Sequence, residues 1–203
     1  MLPEFVEIVT WNDFGESHYV GPIYEAGIPS GTDDEASVYV DGYPHSAWLE
    51  TLPYQIAAYK HAYDSANPAP SVAAGDEKIV YWYRTSPASA GTTDATGNDC
   101  PSTINGDSAY QTCYAVSDVL EDGIFAIVLA SEAGSASITI GDGEPTVFDT
   151  IVAGINLVSR PFGGETGNVT VSMGSVTGEG VAITAEPASG VANFNAWVGS
   201  AQA

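Results

Sequence analysis

The spacing of hydrophobic and polar positions changes along the chain, and the C-terminal part has the pattern of short β-strands. Over residues 78–203, short apolar stretches are separated by glycine-rich turns such as 141–143. Short strands at regular spacing between turns favour an antiparallel sandwich. The predicted strands are Lys78–Arg84, Gly123–Ala130, Ala136–Ile140, Thr146–Phe148, Ile155–Ser159, Asn168–Met173 and Gly180–Ala185. Beyond residue 187 the chain is small and polar, with Phe194 and Trp197 as candidate anchors.

One helix is predicted over residues 46–64, where apolar residues recur at helical spacing on one face. These residues are Trp48, Leu49, Leu52, Ile56, Tyr59 and Tyr63. Ser46 is a candidate N-cap. Pro53 interrupts the pattern, so either the helix kinks there or residues 46–51 form a separate turn and Pro53 begins the main helix. The linker that follows is assigned to residues 71–77, which are rich in small residues.

The N-terminal segment 4–10 (EFVEIVT) is dense in apolar and β-branched residues and alternates little. This pattern predicts a strand buried on both faces, as in a parallel sheet. A lone parallel strand with one or two helices cannot bury its apolar faces, and a (β/α) barrel takes about 250 residues. The predicted fold class is therefore an α+β fragment. Residues 1–70 are the last part of a (β/α)8 barrel, and residues 78–203 form an antiparallel β-sandwich domain.

Acidic residues dominate the charge of this 203-residue chain. Asp and Glu total 26 against 4 Lys and Arg, which gives a formal net charge of -22. Such a surface repels phosphate backbones and anionic lipid, so we expect no nucleic-acid partner and no membrane partner. The start of the chain lacks the basic and apolar regions of a signal peptide, so none is expected in it. Low lysine content with abundant serine and threonine is nevertheless common in secreted proteins.

Two cysteines and one sequon are candidate modification sites. Cys100 and Cys113 flank a polar loop, and a disulfide closing it would contribute about 3 kcal/mol. The alternative is two buried free thiols, and the bridge is favoured because the segment between them is too polar for a core. Asn168 begins an N-x-T sequon and is a candidate glycosylation site, although such triplets also arise by chance.

Two carboxylates stand three residues apart in the segment WNDFGESHY, directly after the first predicted strand. They are Asp13 and Glu16, and their aromatic neighbours in sequence are Trp11, Phe14, His18 and Tyr19. Catalytic groups of α/β barrels lie at the C-terminal ends of strands, and sugar-cleaving sites use paired carboxylates. Flat aromatic faces pack against pyranose rings. Pairing two acids in a partly dry aromatic pocket raises at least one pKa, so that one acid stays protonated.

The same residue types are also typical of turns and metal sites. Asn12, Asp13 and Ser17 fit turn or helix-cap positions as well as they fit catalysis. His18 with the two carboxylates offers metal-ligand atoms, but one histidine and two acids within nine residues match no known tight spacing. We therefore predict no metal and no cofactor.

The remaining motifs exclude two other chemistries. No G-x-S-x-G follows a predicted strand, so a serine triad is not supported. Neither a G-x-G-x-x-G nor a G-K-[ST] phosphate loop occurs in the sequence. His45 and His61 are expected to be structural or exposed.

Three blocks of the sequence resemble fungal α-1,3-glucanases (mutanases) of glycoside hydrolase family 71. The blocks FVEIVTWNDFGESHYVGPI, YVDGYPHSAWLETLPYQIAAYK and KIVYWYR follow in the family's order over about residues 4–84. Residues 85–203 resemble the family's β-rich C-terminal domain only in their general pattern of short strands and glycine-rich turns. The resemblance implies a secreted, endo-acting enzyme that hydrolyses α-1,3-glucan with inversion, built from a barrel followed by a β-sandwich.

The resemblance also implies roles for the residues of the first block. The acids of the family motif fall on Asp13 and Glu16, with Glu16 expected as the general acid and Asp13 as the general base. The spacing does not show which acid takes which role. The residues expected to orient the sugar are Trp11, Asn12, His18 and Tyr19.

The chain departs from the family because the earlier barrel strands, and a carboxylate that the family uses in its first half, are absent. It resembles a truncated enzyme, and we expect a monomer with little or no activity of its own, since positioning supplies much of catalysis. Two other classes are a non-catalytic carbohydrate-binding sandwich over residues 75–203 and an acidic structural protein. The aromatic candidates for a binding sandwich are Tyr81, Trp82, Tyr83, Tyr110, Tyr114 and Trp197.

Overall fold

The computed structural model describes residues 2–29, 36–91 and 119–203. Within these residues, eight antiparallel strands form two four-stranded sheets, with the strand orders β5-β2-β1-β8 and β4-β3-β6-β7. The strands are β1 (Lys78–Tyr83), β2 (Gly123–Ala130), β3 (Gly134–Ile140), β4 (Thr146–Ile151), β5 (Gly154–Pro161), β6 (Gly167–Met173), β7 (Val176–Ile183) and β8 (Trp197–Gln202). The β-sandwich predicted from the strand and turn pattern is confirmed.

Strand β8 was not among the predicted strands. Its sequence, WVGSAQ, has large apolar residues only at Trp197 and Val198, so it lacks the longer apolar run that marks a strand. It forms because it pairs along the whole of β1, from Lys78 opposite Gln202 to Tyr83 opposite Trp197. This pairing places β8 at the edge of the first sheet.

Large aromatic side chains fill the core of the sandwich. Tyr81 and Tyr83 are buried, and Trp197 packs against the same cluster. Their rings fit because the facing positions lack side chains: a Cβ on Gly180 would overlap the Tyr83 hydroxyl oxygen. That hydroxyl donates a 2.6 Å hydrogen bond to the carbonyl of Val181. Burial raises the pKa of Tyr81 to about 12 and also raises the pKa of Tyr83.

The helical region before the sandwich has two parts. A 3-10 helix covers Ser46–Thr51, and an α-helix, α2, covers Leu52–Tyr63 with proline in its first turn. This confirms the alternative in which residues 46–51 form a separate turn, although the main helix begins at Leu52 and Pro53 is its second residue. The predicted N-cap is wrong, because His45 holds the cap position and makes no side-chain cap. The remaining helices are α1 (Ser37–Val40) and the 3-10 turn Glu25–Gly27.

The predicted buried strand at residues 4–10 is not formed. Residues 2–9 are exposed and carry no strand assignment, and the side chain of Phe5 is 86% exposed. A parallel strand needs neighbours on both sides, and the described residues contain no parallel strand beside this segment. The helix α2 likewise has no buried residue. The barrel and the domain boundaries at residues 70 and 78 therefore remain predictions.

Few cations are present, and most of them are paired. Of the four Lys and Arg residues, three form ion pairs with carboxylates. The pairs are Lys78–Glu50 (2.7 Å), Arg84–Asp122 (2.6 Å) and Arg160–Glu165 (2.6 Å). The Lys78–Glu50 pair joins the 3-10 helix to the first strand of the sandwich. Among the residues described, no helix is long and apolar enough to cross a bilayer.

Several sequence-based predictions lie outside the described ranges. Cys100, Cys113, Tyr110 and Tyr114 belong to this group, so the disulfide remains a prediction. Asn168 is described and is exposed on β6. Its glycosylation also remains a prediction.

Candidate active site

A tight turn presents the two carboxylates of the WNDFGESHY segment. The turn closes where the backbone N–H of Thr10 donates to the carbonyl of His18 and that of Val20 donates to the carbonyl of Thr10, both at 3.0 Å. Inside it, the backbone N–H of Glu16 donates to Oδ1 of Asp13 at 3.0 Å. Asp13 therefore holds the turn through its side chain, as the turn interpretation predicted, and the same bond fixes Glu16 beside it.

The ionisable groups of the turn converge. One donor or acceptor atom from each of Asp13, Glu16 and His18 lies within 4.8 Å of the others. Nδ1 of His18 lies 3.4 Å from Oε2 of Glu16. The Glu16 side chain is 72% exposed and that of His18 57%, so the dry pocket expected around the acids is not formed by the described residues. Carboxylate and imidazole atoms can also ligate a divalent cation, but exposed acids often cluster without one.

The residues predicted to orient a sugar divide into two groups. Trp11, Asn12 and His18 are exposed, and the Asn12 amide donates to the Tyr24 hydroxyl at 2.9 Å. Tyr19 is fully buried, and its hydroxyl donates to the carbonyl of Tyr43 at 2.6 Å. Burial raises the pKa of Tyr19 to about 12. Tyr19 therefore supports the turn from beneath and does not face solvent in this chain.

Two residues that no sequence motif assigned to the site, His45 and Asn195, connect the turn to the segment that precedes β8. His45 lies with Nδ1 2.8 Å from the carbonyl of Tyr19 and Nε2 3.0 Å from that of Ala196. Its ring stacks on Tyr19 with centroids 4.0 Å apart. The Asn195 amide donates to the Tyr19 hydroxyl and to the carbonyl of Tyr39, both at 2.9 Å. The expectation that His45 is structural is confirmed.

The position of Asn195 had no local signature in the sequence. It is 176 residues from Tyr19, and nothing around it resembles a motif. Only the pairing of β8 with β1 brings the preceding segment against the turn.

Burial lowers the pKa of His45, and this predicts a pH dependence of stability. The two carbonyl acceptors favour the charged ring and oppose the effect, but burial is the larger influence. The unfolded ring, with a pKa near 6.5, then binds a proton more readily than the folded one. The contribution of the neutral His45 ring to stability is therefore complete above about pH 6.5. It is lost as the pH falls toward the pKa of His45 in the folded protein.

We therefore expect the urea midpoint to decrease as the pH is lowered from about 7 to about 5.5. The His45 ring should change the free energy of unfolding by at most about 1.4 kcal/mol per pH unit. His45→Gln should reduce the dependence, since glutamine does not titrate. His61→Gln, on α2, is the matched control and should keep it. Equal pH dependence in wild type and His45→Gln would contradict the prediction.

A pair of carboxylates from Asp or Glu is the usual catalytic group of glycoside hydrolases. The chain belongs to glycosyl hydrolase family 71, whose family model matches residues 1–203. This confirms the resemblance found in the WNDFGES segment and its two companion blocks.

The chain is similar in sequence to three fungal proteins, all of which are longer than it is. A glucan endo-1,3-alpha-glucosidase of Schizosaccharomyces pombe is 32% identical over 201 residues, which cover 97% of this chain and 41% of the relative. A mutanase of Penicillium rubens is 32% identical over 86% of this chain and 32% of its own length. An ascus wall endo-1,3-alpha-glucanase of Schizosaccharomyces pombe is 34% identical over 40% of this chain and 18% of its own length. No solved structure matches the chain.

The chain thus spans less than half of the length of these relatives. It corresponds to a C-terminal part of them.

Proposed function

We propose that this chain is the C-terminal part of a glycoside hydrolase acting on α-1,3-glucan, with Asp13 and Glu16 as its catalytic carboxylates. The observation that carries the proposal is their convergence within 4.8 Å on one turn, in a chain that belongs to family 71. The names of its relatives support the substrate: two are called α-1,3-glucan-cleaving enzymes and one a mutanase. An endo mode of action, an extracellular location and a monomeric state are part of the same proposal.

Glu16 is proposed as the general acid and Asp13 as the general base. In inverting glycosidases the two carboxyl groups are about 6.5–9.5 Å apart, which leaves room for the attacking water. In this structure one oxygen of each carboxyl group lies within 4.8 Å of the other, so an inverting reaction requires these two oxygens to separate when substrate binds. Glu16 is the group able to move, because its side chain is exposed and its described side-chain contact is the one between Oε2 and Nδ1 of His18, at 3.4 Å. Asp13 is held by its bond to the Glu16 amide.

The alternative of a sandwich that binds carbohydrate through its own aromatic residues receives less support. Tyr81 and Tyr83 are buried, and Trp197 packs against the core, so these rings stabilise the sandwich. Trp82 is half-buried and stacks on Phe125 with centroids 6.0 Å apart. The carboxylate turn therefore remains the better candidate for the functional centre.

Hydrolysis by a fusion protein tests the proposal. We expect the 203-residue chain alone to release little or no reducing sugar from α-1,3-glucan, since one turn positions substrate poorly. When it is fused to the C-terminus of the part of the Schizosaccharomyces pombe glucosidase that it does not match, the chain should support hydrolysis of α-1,3-glucan. The intact relative is the positive control, and the unmatched part alone is the negative control. A fusion with a native circular dichroism spectrum that cleaves no α-1,3-glucan would overturn the proposal.

A further inference from the structure

A cleft of about 400 Å³ lies between the carboxylate turn and the segment before β8. Glu16 and Ser17 line it on the turn side, Trp48 lines it from the 3-10 helix, and residues 193–196 line it from the sandwich side. The cleft is therefore built from parts of the chain that are distant in sequence. Its volume is within the range of small-molecule sites, which is about 300–1,000 Å³.

The far side of the cleft is fixed relative to the carboxylates. Asn195 is 7% exposed, and its amide bonds to Tyr19 tie the segment to the residue that supports the turn. His45 makes a second connection, since its two ring nitrogens contact carbonyls of the turn and of Ala196. A third connection is the backbone N–H of Val198, which donates to the carbonyl of Pro44 at 3.2 Å. A cleft whose walls are already ordered loses less entropy on binding a ligand.

The chemistry of the lining selects the class of ligand. Trp48 and Phe194 are half-buried aromatic side chains, and together with the amide residues they give the mixture of flat apolar and polar groups found in ligand sites. Among the described lining residues, Glu16 is the only acid and there is no Lys or Arg. With a net charge of -22 the protein repels anions, so a neutral ring with many hydroxyl groups fits best.

We propose that this cleft is a glucose-binding subsite next to Glu16, and that the sandwich contributes its far wall through Phe194. The inference rests on the proposed function and deepens it, because it makes the segment 193–196 part of the substrate site. A glucosyl unit in contact with Trp48 and Phe194 occupies the cleft that Glu16 also lines, so the glucan chain passes beside the Glu16 carboxylate. Phe194 is then a specificity-determining residue, and Asn195 is a positioning residue that acts through Tyr19.

Binding of a soluble α-1,3-linked glucose oligosaccharide to the 203-residue chain tests the inference by calorimetry. Phe194→Ala should weaken the affinity about tenfold, as expected for the loss of a central aromatic contact. Phe125→Ala is the matched control: Phe125 is also a half-buried aromatic residue, it contacts Trp82, and it does not line this cleft. It should leave the affinity unchanged. Urea midpoints show whether each variant folds.

The indole N–H resonance of Trp48 in the unmodified chain gives a second readout that needs no destabilising variant. It should shift on titration with the oligosaccharide, and Trp48→Phe assigns the resonance. Absence of binding at millimolar oligosaccharide, or equal weakening by Phe194→Ala and Phe125→Ala, would overturn the inference. If the fusion hydrolyses glucan in that case, the proposed function stands without the subsite. If the cleft binds the oligosaccharide and a folded fusion is inactive, the proposed function fails, and the cleft is a sugar-binding site without a role in hydrolysis.

Discussion

Glu16→Gln in the active fusion is expected to lower kcat by about 10²–10⁴, the usual contribution of general acid catalysis. Glutamine keeps the size and the hydrogen-bonding capacity of the side chain but cannot deliver a proton to the leaving oxygen. Because the side chain is exposed and its backbone N–H makes the bond to Asp13, the turn should keep its shape. The effect should therefore appear in kcat, with KM for α-1,3-glucan changing little.

Asp13→Asn should lower kcat by a similar factor. Because Asp13 also holds the turn, its structural role has to be distinguished from its role as a base. The asparagine side-chain oxygen can still accept the hydrogen bond from the Glu16 backbone, so the structural role of Asp13 is preserved. What it loses is the ability to take a proton from water. Both variants should also remove one limb of the pH–rate profile, which a merely structural change would leave in place.

Glu25→Gln is the control for these variants, since it makes the same change of charge on an exposed residue of the neighbouring 3-10 turn. It should keep wild-type activity. The assignment of the carboxylates would be wrong if Glu16→Gln and Asp13→Asn retained more than about half of the activity, or if Glu25→Gln lost as much as they do.

Tyr19→Ala is expected to cost about 3–5 kcal/mol of unfolding free energy, the range for deleting a buried aromatic side chain. Tyr19 is fully buried, stacks on His45 and contacts Phe14 with ring centroids 5.0 Å apart. Tyr19→Phe keeps the ring and removes the hydroxyl. It leaves the Tyr43 carbonyl and the Asn195 amide each without one partner, which should cost about 1–3 kcal/mol.

Urea denaturation measures both changes. Tyr24→Phe is the matched control, because Tyr24 is 45% exposed and its hydroxyl bonds to the exposed Asn12 amide, so its loss should change stability by less than about 0.5 kcal/mol. A double-mutant cycle between Tyr19→Phe and Asn195→Ala should give a coupling energy of about 0.5–3 kcal/mol. A Tyr19→Phe variant as stable as Tyr24→Phe would show that the turn and the sandwich are not joined through this hydroxyl.

The sequence by itself was sufficient for the sandwich, for the break at Pro53 and for the position of the carboxylate pair. Each depends on a local pattern: turn residues between apolar runs, a proline in a helical stretch, and two acids among aromatic residues. The same kind of reasoning was misleading for residues 4–10. Their apolar run has the composition of a buried strand, but burial needs neighbouring strands, and the described residues contain none beside it.

Only the tertiary structure decided which residues surround the carboxylates. Strand β8 has no apolar pattern of its own and forms because β1 offers an edge for pairing. That pairing brings Asn195 to Tyr19 and Phe194 to the cleft beside Glu16. Tyr19, which the motif placed among the residues facing the sugar, is buried because His45 and Asn195 close over it from distant parts of the chain. A local sequence pattern shows which side chains a segment contains. Contacts between residues more than a hundred positions apart depend instead on how the sheets assemble.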